Sequence, residues 1–280
     1  MPEMPEVESV VALIRERIER KTIVKIDLIK TDVIKYPQAV DYVRLLENQT
    51  IKKVQRKGKY IILEMDNKIL AVIHLRMTGK LLFTSKNQEL DKYACVVFHL
   101  NDENKLVYAD IRRLGTLEAV TKDELPRIKG LYTIGAEPLS DEFSVEYLTR
   151  ILNHNKGKIK PFLLNQKYIA GLGNIYVDES LAISKIHPAR VASSLTEDEI
   201  KSLYKAINKA IGEAIADGGT SFRDYRNALG EKGSHQDNLY VYNRKGKPCK
   251  FCQTAIVKTI LNGRGTYYCP TCQKLEHRLR

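Results

Sequence analysis

Cys249-Lys-Phe-Cys252 and Cys269-Pro-Thr-Cys272 stand sixteen residues apart and use four of the five cysteines in the chain. Each Cys-x-x-Cys turn presents two thiolates to one metal ion and two such turns complete a tetrahedron, so the spacing is that of a four-cysteine zinc ribbon. Disulfides are the weaker reading for paired knuckles in a reducing compartment. Residues 254–268 between the pairs read as two strands around Leu261-Asn-Gly-Arg-Gly265, which puts Arg264 at the tip of a hairpin held by metal. A piece of about forty residues cannot bury enough apolar surface to fold unaided, so one structural Zn2+ is the expected cofactor. The fifth cysteine, Cys95, lies in the alternating run Tyr93-Ala-Cys-Val-Val-Phe-His-Leu100 and is expected as a buried free thiol.

Upstream of the ribbon the hydrophobic pattern changes once. Residues 23–29, 51–65, 69–84, 93–100 and 105–120 alternate or run apolar around turns, as strands of a β-sandwich or barrel do. After a stretch with Pro, Gly and Ser at 125–140, apolar residues recur three or four apart over 145–152, 160–164, 175–182 and 197–216, the spacing of helices. Ser194-Leu-Thr-Glu197 reads as a capping box before the longest of them, and 220–237 reads as a mobile loop. The class is α+β and multidomain, divided as 1–135, 136–237 and 238–280, with no internal repeat. A formal charge of +12 and a pI near 9.3 suit a polyanionic partner such as nucleic acid. No run of eighteen apolar residues and no secretory leader is present, so a cytoplasmic location without a membrane partner is expected.

At the other end the chain begins Met1-Pro-Glu-Met-Pro-Glu-Val-Glu8. Removal of Met1, general before a small second residue, exposes the secondary amine of Pro2 beside Glu3 and Glu6. A terminal amine with pKa about 7.7–8.0 is roughly one-tenth neutral at pH 7, far more than a lysine, and is suited to imine chemistry. The same residues also suit a helix entry, since Val7, Val11, Ile14 and Ile18 predict a helix beginning near Pro5. Further on, Arg56-Lys-Gly-Lys-Tyr60 can face a phosphate or be a solvated charge cluster. Arg76-Met77-Thr78-Gly79 and Asp110-Ile-Arg-Arg-Leu-Gly115 say little alone, although long apolar side chains at loop tips can fill the hole left by a base rotated out of a duplex. Gly171-Leu-Gly-Asn174 precedes a helix and is either a phosphate seat or a structural turn.

Taken in order, the Pro-Glu-x-Pro-Glu-Val-Glu terminus, the Lys-Tyr strand, Gly-Leu-Gly-Asn-Ile-Tyr and the four-cysteine ribbon with its Arg hairpin resemble the formamidopyrimidine-DNA glycosylase family over essentially the whole chain. The resemblance implies an N-terminal β-sandwich with flanking helices, a helix-two-turn-helix module and a C-terminal zinc finger. It implies a bacterial base-excision repair enzyme, associated with the nucleoid when bound, that removes 8-oxoguanine and formamidopyrimidines and then cuts the abasic strand by β- and δ-elimination. The implied partner is damaged double-stranded DNA, with a monomeric enzyme and no nucleotide cofactor. On this sequence the family's motifs make Pro2 the nucleophile at C1′, Glu3 the general acid and base, Glu6 a supporting carboxylate, Lys59 a lysine acting on the damaged strand, and Arg264 the finger arginine. Lys160 and Asn174 match residues that grip the DNA backbone, and Lys92 is counted with the DNA-binding positions. Met77 and Arg112 match two of three gap-filling residues; the third is usually phenylalanine and is Leu114 here, which keeps apolar bulk and loses a stacking ring. Residues 220–225 match the region that closes over an everted purine. Two other readings stand beside this one: the sister class acting on oxidised pyrimidines, against which Met4 and the Arg112 segment speak, and a non-catalytic binder, which would form no reducible imine.

Overall fold

Val7, Val10, Val11, Ile14 and Ile18 are fully buried along one side of α1 (Met4–Ile18), the three- and four-residue spacing a helix needs to present one apolar face. At about 1.5–3 kcal/mol for each buried side chain, this stripe is what holds α1 against the neighbouring β3. The helix starts one residue earlier than expected, with Glu3 as its N-cap and Pro5 within the first turn, where a missing N–H leaves no hydrogen bond unmade. The structure, a computed structural model, describes residues 2–222 and 224–275.

The alternating region forms nine strands, β1 (Ile23–Leu28), β2 (Ile34–Tyr36), β3 (Ile51–Lys57), β4 (Tyr60–Met65), β5 (Leu70–His74), β6 (Gly79–Thr84), β7 (Ala94–Leu100), β8 (Lys105–Asp110) and β9 (Thr116–Val120). They make two sheets, β1-β7-β8-β6 and β2-β9-β5-β4-β3. Every pairing is antiparallel except β2 with β9. Leu63, Ile73 and Leu117 of the second sheet share one core with Val96, Phe98, Leu106 and Tyr108 of the first, which makes the region a sandwich. Three expected strands, 51–65, 69–84 and 105–120, are each split by a turn, and those turns carry Lys59, Met77 and Arg112 with Leu114. The short β2 and the helix α2 (Ala39–Leu46) were not expected; α2 buries only Tyr42 and Leu46, too few residues to make a stripe visible in the sequence.

Past α3 (Lys129–Tyr132) the chain is helical: α4 (Val145–Leu152), α5 (Ile159–Leu163), α6 (Asn174–Ile183) and α7 (Glu197–Ala216). Residues 175–182 of α6 are all buried, so α6 is the centre around which α5, α7 and the ribbon pack. By contrast α7 buries one stripe, Ile200, Leu203, Ala206, Ile207, Ala210, Ile211 and Ala214. Its cap is not Ser194 with Glu197, as expected, but Thr196 with Glu199. The Glu199 N–H donates to Thr196 Oγ1 (3.3 Å) and the Thr196 N–H to Glu199 Oε2 (2.8 Å), while Ser194 donates to the Val191 carbonyl instead.

Strands β10 (Val257–Leu261) and β11 (Arg264–Tyr268) form the ribbon hairpin. Asn262 (φ 48°) and Gly263 (φ 72°) are its two turn residues, both left-handed, the pairing a two-residue hairpin turn demands. Contacts divide the chain into two compact units, Met1–Thr133 with Asp217–Gln236, and Ile134–Ala216 with Asp237–Arg280. The segment expected as a mobile loop is thus tethered within the first unit: Phe83 N–H donates to the Ala228 carbonyl, and His235 Nδ1 lies 2.8 Å from Asp217 Oδ2. No helix among the described residues is long and apolar enough to cross a membrane.

Candidate active site and metal centre

Glu3 is both the N-cap of α1 and the neighbour of Pro2, and it is buried. Its carboxylate accepts the backbone N–H of Glu6, while Glu6 Oε2 accepts the N–H of Glu3 at 2.7 Å. This reciprocal pair satisfies two helix-end donors and holds negative charge at the positive end of the helix. The other oxygen of Glu6 accepts the N–H of Thr220 (2.8 Å), and Tyr225 Oη donates to the Glu6 carbonyl (3.1 Å). Gly219 is left-handed (φ 83°), and a Cβ there would lie 3.0 Å from the Glu6 side chain. Glu6 therefore joins the start of α1 to the segment of Gly219, Thr220 and Tyr225. Met1 and Arg223 lie outside the described residues.

Lys59 occupies the second position of the β3–β4 turn after Gly58 (φ 58°). Arg56 braces that turn: Nε donates to Glu8 Oε2 of α1 (2.6 Å) and Nη1 to the Gly58 carbonyl (3.0 Å). Arg56 thus ties the turn to α1, while Lys59 is held, largely buried, beside the strand that ends at His74. His74 was not anticipated. Its ring meets Tyr60 edge-on at 4.5 Å, and its Nδ1 accepts the N–H of Arg76 (3.0 Å), which leaves Nε2 as the protonated nitrogen. Burial, with the charges of Arg76 and Lys59 added, pushes its pKa down to about 3. The unfolded chain takes up this proton below about pH 6.5 and the folded one does not, so stability is expected to fall progressively from pH 6.5 towards 3. Urea titrations across that range should show a shallower fall in His74→Asn, and identical slopes would contradict the buried neutral imidazole.

Met77, Arg112 and Leu114 all stand exposed at loop tips of the first unit, Met77 at 41 % and Leu114 at 46 %. Lys92 is also exposed, its ammonium 4.9 Å from the ring centre of Tyr93.

In the second unit the expectation for Lys160 needs correction. Its side chain is 0 % exposed, with Nζ 2.7 Å from Asp178 Oδ1 and donating to the Gly265 carbonyl at 2.9 Å. An ammonium enclosed in this way does not reach a phosphate. Asn174 Nδ2 donates to the same carbonyl (2.9 Å), and Asp178 Oδ2 accepts the N–H of Tyr267 (2.9 Å). Burial raises the Asp178 carboxyl, against the pull of Lys160 and the Tyr267 N–H. Neighbouring Glu179 accepts three successive N–H groups, those of Tyr240, Val241 and Tyr242, at 2.6 to 2.9 Å. Lys160 and Asn174 therefore fix the residue next to Arg264, whose own side chain is exposed. Removing one partner of a buried ion pair costs about 3–5 kcal/mol. Lys160→Ala is expected to destabilise the second unit by about that much, as read by chemical unfolding, whereas a loss under about 1 kcal/mol, the size of an exposed pair, would contradict the burial.

The four ribbon sulfurs lie within 4.8 Å of one another. A tetrahedron with Zn–S near 2.3 Å has edges of about 3.8 Å, so the set fits one ion with little movement. Backbone N–H groups of Phe251 and Cys272 point at Cys249 Sγ and Cys269 Sγ, both at 3.4 Å, as stabilised thiolates require.

Comparison with known proteins places this geometry. Residues 1–117 match the formamidopyrimidine-DNA glycosylase N-terminal domain, 134–226 its H2TH domain and 246–275 the zinc finger found in FPG and IleRS. The chain belongs to the formamidopyrimidine-DNA glycosylase family. The formamidopyrimidine-DNA glycosylase of Desulforamulus reducens is 42 % identical over 99 % of this chain and all of its own, and that of Cytobacillus firmus is 42 % identical over 98 % of this chain and all of its own. Among solved structures, Lactococcus lactis Fpg in complex with abasic-site DNA superposes with a TM-score of 0.91 at 35 % identity, covering 97 % of this chain and 99 % of that one. Of the features that build this member of the formamidopyrimidine-DNA glycosylase family, His74, Asp178 and Glu179 escaped sequence reasoning. His74 closes the apolar strand β5 and reads as its end, while Asp178 and Glu179 stand as two acids in an apolar helix, a signal of buried partners that could have been followed.

Proposed function

We propose that this member of the formamidopyrimidine-DNA glycosylase family is a bifunctional glycosylase and abasic-site lyase that removes oxidised purines. The Pro2 nitrogen, freed of Met1, attacks C1′ of the damaged nucleotide; the N–C1′ bond forms as the bond to the base breaks, the base leaves with a proton from water, and the nitrogen passes its own proton to the Glu3 carboxylate. Glu3 protonates the ring oxygen as the sugar opens, giving an iminium at C1′. That cation acidifies C2′–H, whose loss expels the 3′-phosphate, and a second proton loss from C4′ expels the 5′-phosphate; water then releases Pro2. Lys59 and Arg264 serve the damaged strand and its phosphates, Met77, Arg112 and Leu114 fill the vacated gap, Lys92 and Asn174 meet the backbone, and Lys160 acts through Gly265. Cys249, Cys252, Cys269 and Cys272 hold the zinc that gives the Arg264 hairpin its shape.

The observation that carries this reading is the buried Glu3 carboxylate, fixed as N-cap one peptide bond from Pro2. The family match over nearly the whole chain and the charge of +12 support it. Lesion class is tested with duplexes containing 8-oxoguanine, Fapy-dG, an oxidised pyrimidine or no damage, the pyrimidine included because wild-type Lactococcus lactis Fpg was crystallised with an oxidised pyrimidine DNA. Single-turnover excision is expected to be faster on both purine lesions. Faster excision of the pyrimidine would overturn the purine assignment.

A further inference from the structure

The carboxylate of Asp110 is almost completely buried, yet among the described residues its hydrogen bonds come from hydroxyls and backbone N–H groups and from no basic side chain. Oδ1 accepts the hydroxyl of Thr78 (2.5 Å) and the N–H of Arg112 (3.1 Å); Oδ2 accepts the N–H of Gly115 (2.9 Å) and the hydroxyl of Tyr108 (3.3 Å). The Arg112 N–H is shared with Thr78 Oγ1 (3.3 Å). A buried carboxylate must be satisfied, and three of these donors come from two loops apart in sequence, Thr78 from one and Arg112 and Gly115 from the other, with Tyr108 on β8. Thr78 follows Met77 directly, while Arg112 and Gly115 bracket Leu114. Both loops turn through a left-handed residue at the tip, Arg76 (φ 53°) and Arg113 (φ 51°), conformations that non-glycine residues hold only when their surroundings impose them.

Packing draws the loops to the same point. A Cβ on Gly115 would lie 1.7 Å from Tyr108 Oη, and one on Gly79 would lie 2.9 Å from it, so the phenol that donates to Asp110 fills the space between the ends of the two loops. Burial and the adjacent Asp110 raise the pKa of that phenol, which keeps it a donor. We propose that Asp110, through Thr78, is a positioning residue that locks the loop of Met77 and the loop of Arg112 and Leu114 into one pre-formed wedge. The proposal rests on the reading of those three side chains as gap fillers. A wedge held in its inserted geometry loses no further side-chain or loop freedom on entering the duplex, and the saving falls on lesion capture and not on elimination.

The test compares Thr78→Val, which keeps shape and removes the hydroxyl, with Thr78→Ser, which keeps the hydroxyl, and with Asp110→Asn. Three quantities are read: single-turnover excision of 8-oxoguanine from duplex, strand cleavage at a preformed abasic site, and fluorescence of 2-aminopurine placed opposite the lesion. Loss of one hydrogen bond to a charged group should slow duplex excision about ten-fold or more in Thr78→Val and Asp110→Asn, with abasic-site cleavage within about two-fold of the parent. Thr78→Ser should restore both excision and the 2-aminopurine response. Equal slowing on both substrates, or no slowing in Thr78→Val, would overturn the proposal. Met77→Ala and Arg112→Ala separate the two layers. If neither slows duplex excision, the gap-filling reading fails and takes the proposal with it; if both do and Thr78→Val does not, only the role of Asp110 fails.

Discussion

A chain that retains Met1 is expected to lose base excision and strand cleavage together, on the order of a thousand-fold or more, as removal of a nucleophile does. The nitrogen of Pro2 is then an amide, its lone pair delocalised into the Met1 carbonyl and unable to attack C1′. Glu3 would still cap α1, because its carboxylate and its own N–H are both bonded to Glu6. Affinity for lesion DNA should therefore stay within a few-fold of the processed chain. Single-turnover assays on preparations sorted by intact mass check this, and full activity with Met1 present would contradict it.

Removing zinc should have the second large effect. Structural zinc contributes about 10–16 kcal/mol of apparent binding energy at pH 7, more than a small hairpin can replace. The consequences are not confined to the ribbon. Gly265 is the shared acceptor of Lys160 and Asn174, and the N–H of Tyr267 is a donor to Asp178. Once the hairpin unfolds, a fully buried ammonium and carboxylate lose partners at the centre of the helical unit. Chelation or Cys249→Ser is thus expected to abolish the folded signals of the ribbon and of α6 and to weaken DNA binding at least ten-fold, since counterion release from the finger contacts is lost. Signals from the β-sandwich should persist. Unchanged α6 signals after complete loss of metal would contradict the coupling.

Parts of this arrangement were open to reading because they depend on local spacing. The two Cys-x-x-Cys pairs announce a metal site, the Val7 to Ile18 stripe announces α1, and the alternation from 93 to 100 announces β7, the last two within a few residues of the observed bounds. What escaped depends on partners distant in the chain. Lys160 looks like any basic residue near a glycine-rich turn, and only the fold brings Asp178 to it. Residues 217–236 are polar and rich in glycine, yet Glu6, more than two hundred positions away, supplies the acceptor that pins Thr220. Ser194 and Thr196, two residues apart, are both competent caps for α7, and Arg190, paired with Glu199 at 3.1 Å, favours the second. Asp110 is silent in the sequence for the same reason: its donors Thr78 and Tyr108 lie on two different strands or their ends.

The central claim is that the amine of Pro2 carries the covalent step. Borohydride reduction of the processed chain during reaction with an 8-oxoguanine duplex, followed by peptide mapping by mass spectrometry, tests it directly. The account predicts one stable protein–DNA adduct, on the N-terminal peptide at Pro2. An adduct on Lys59 or another lysine, or no reducible adduct while the base is released, would contradict it.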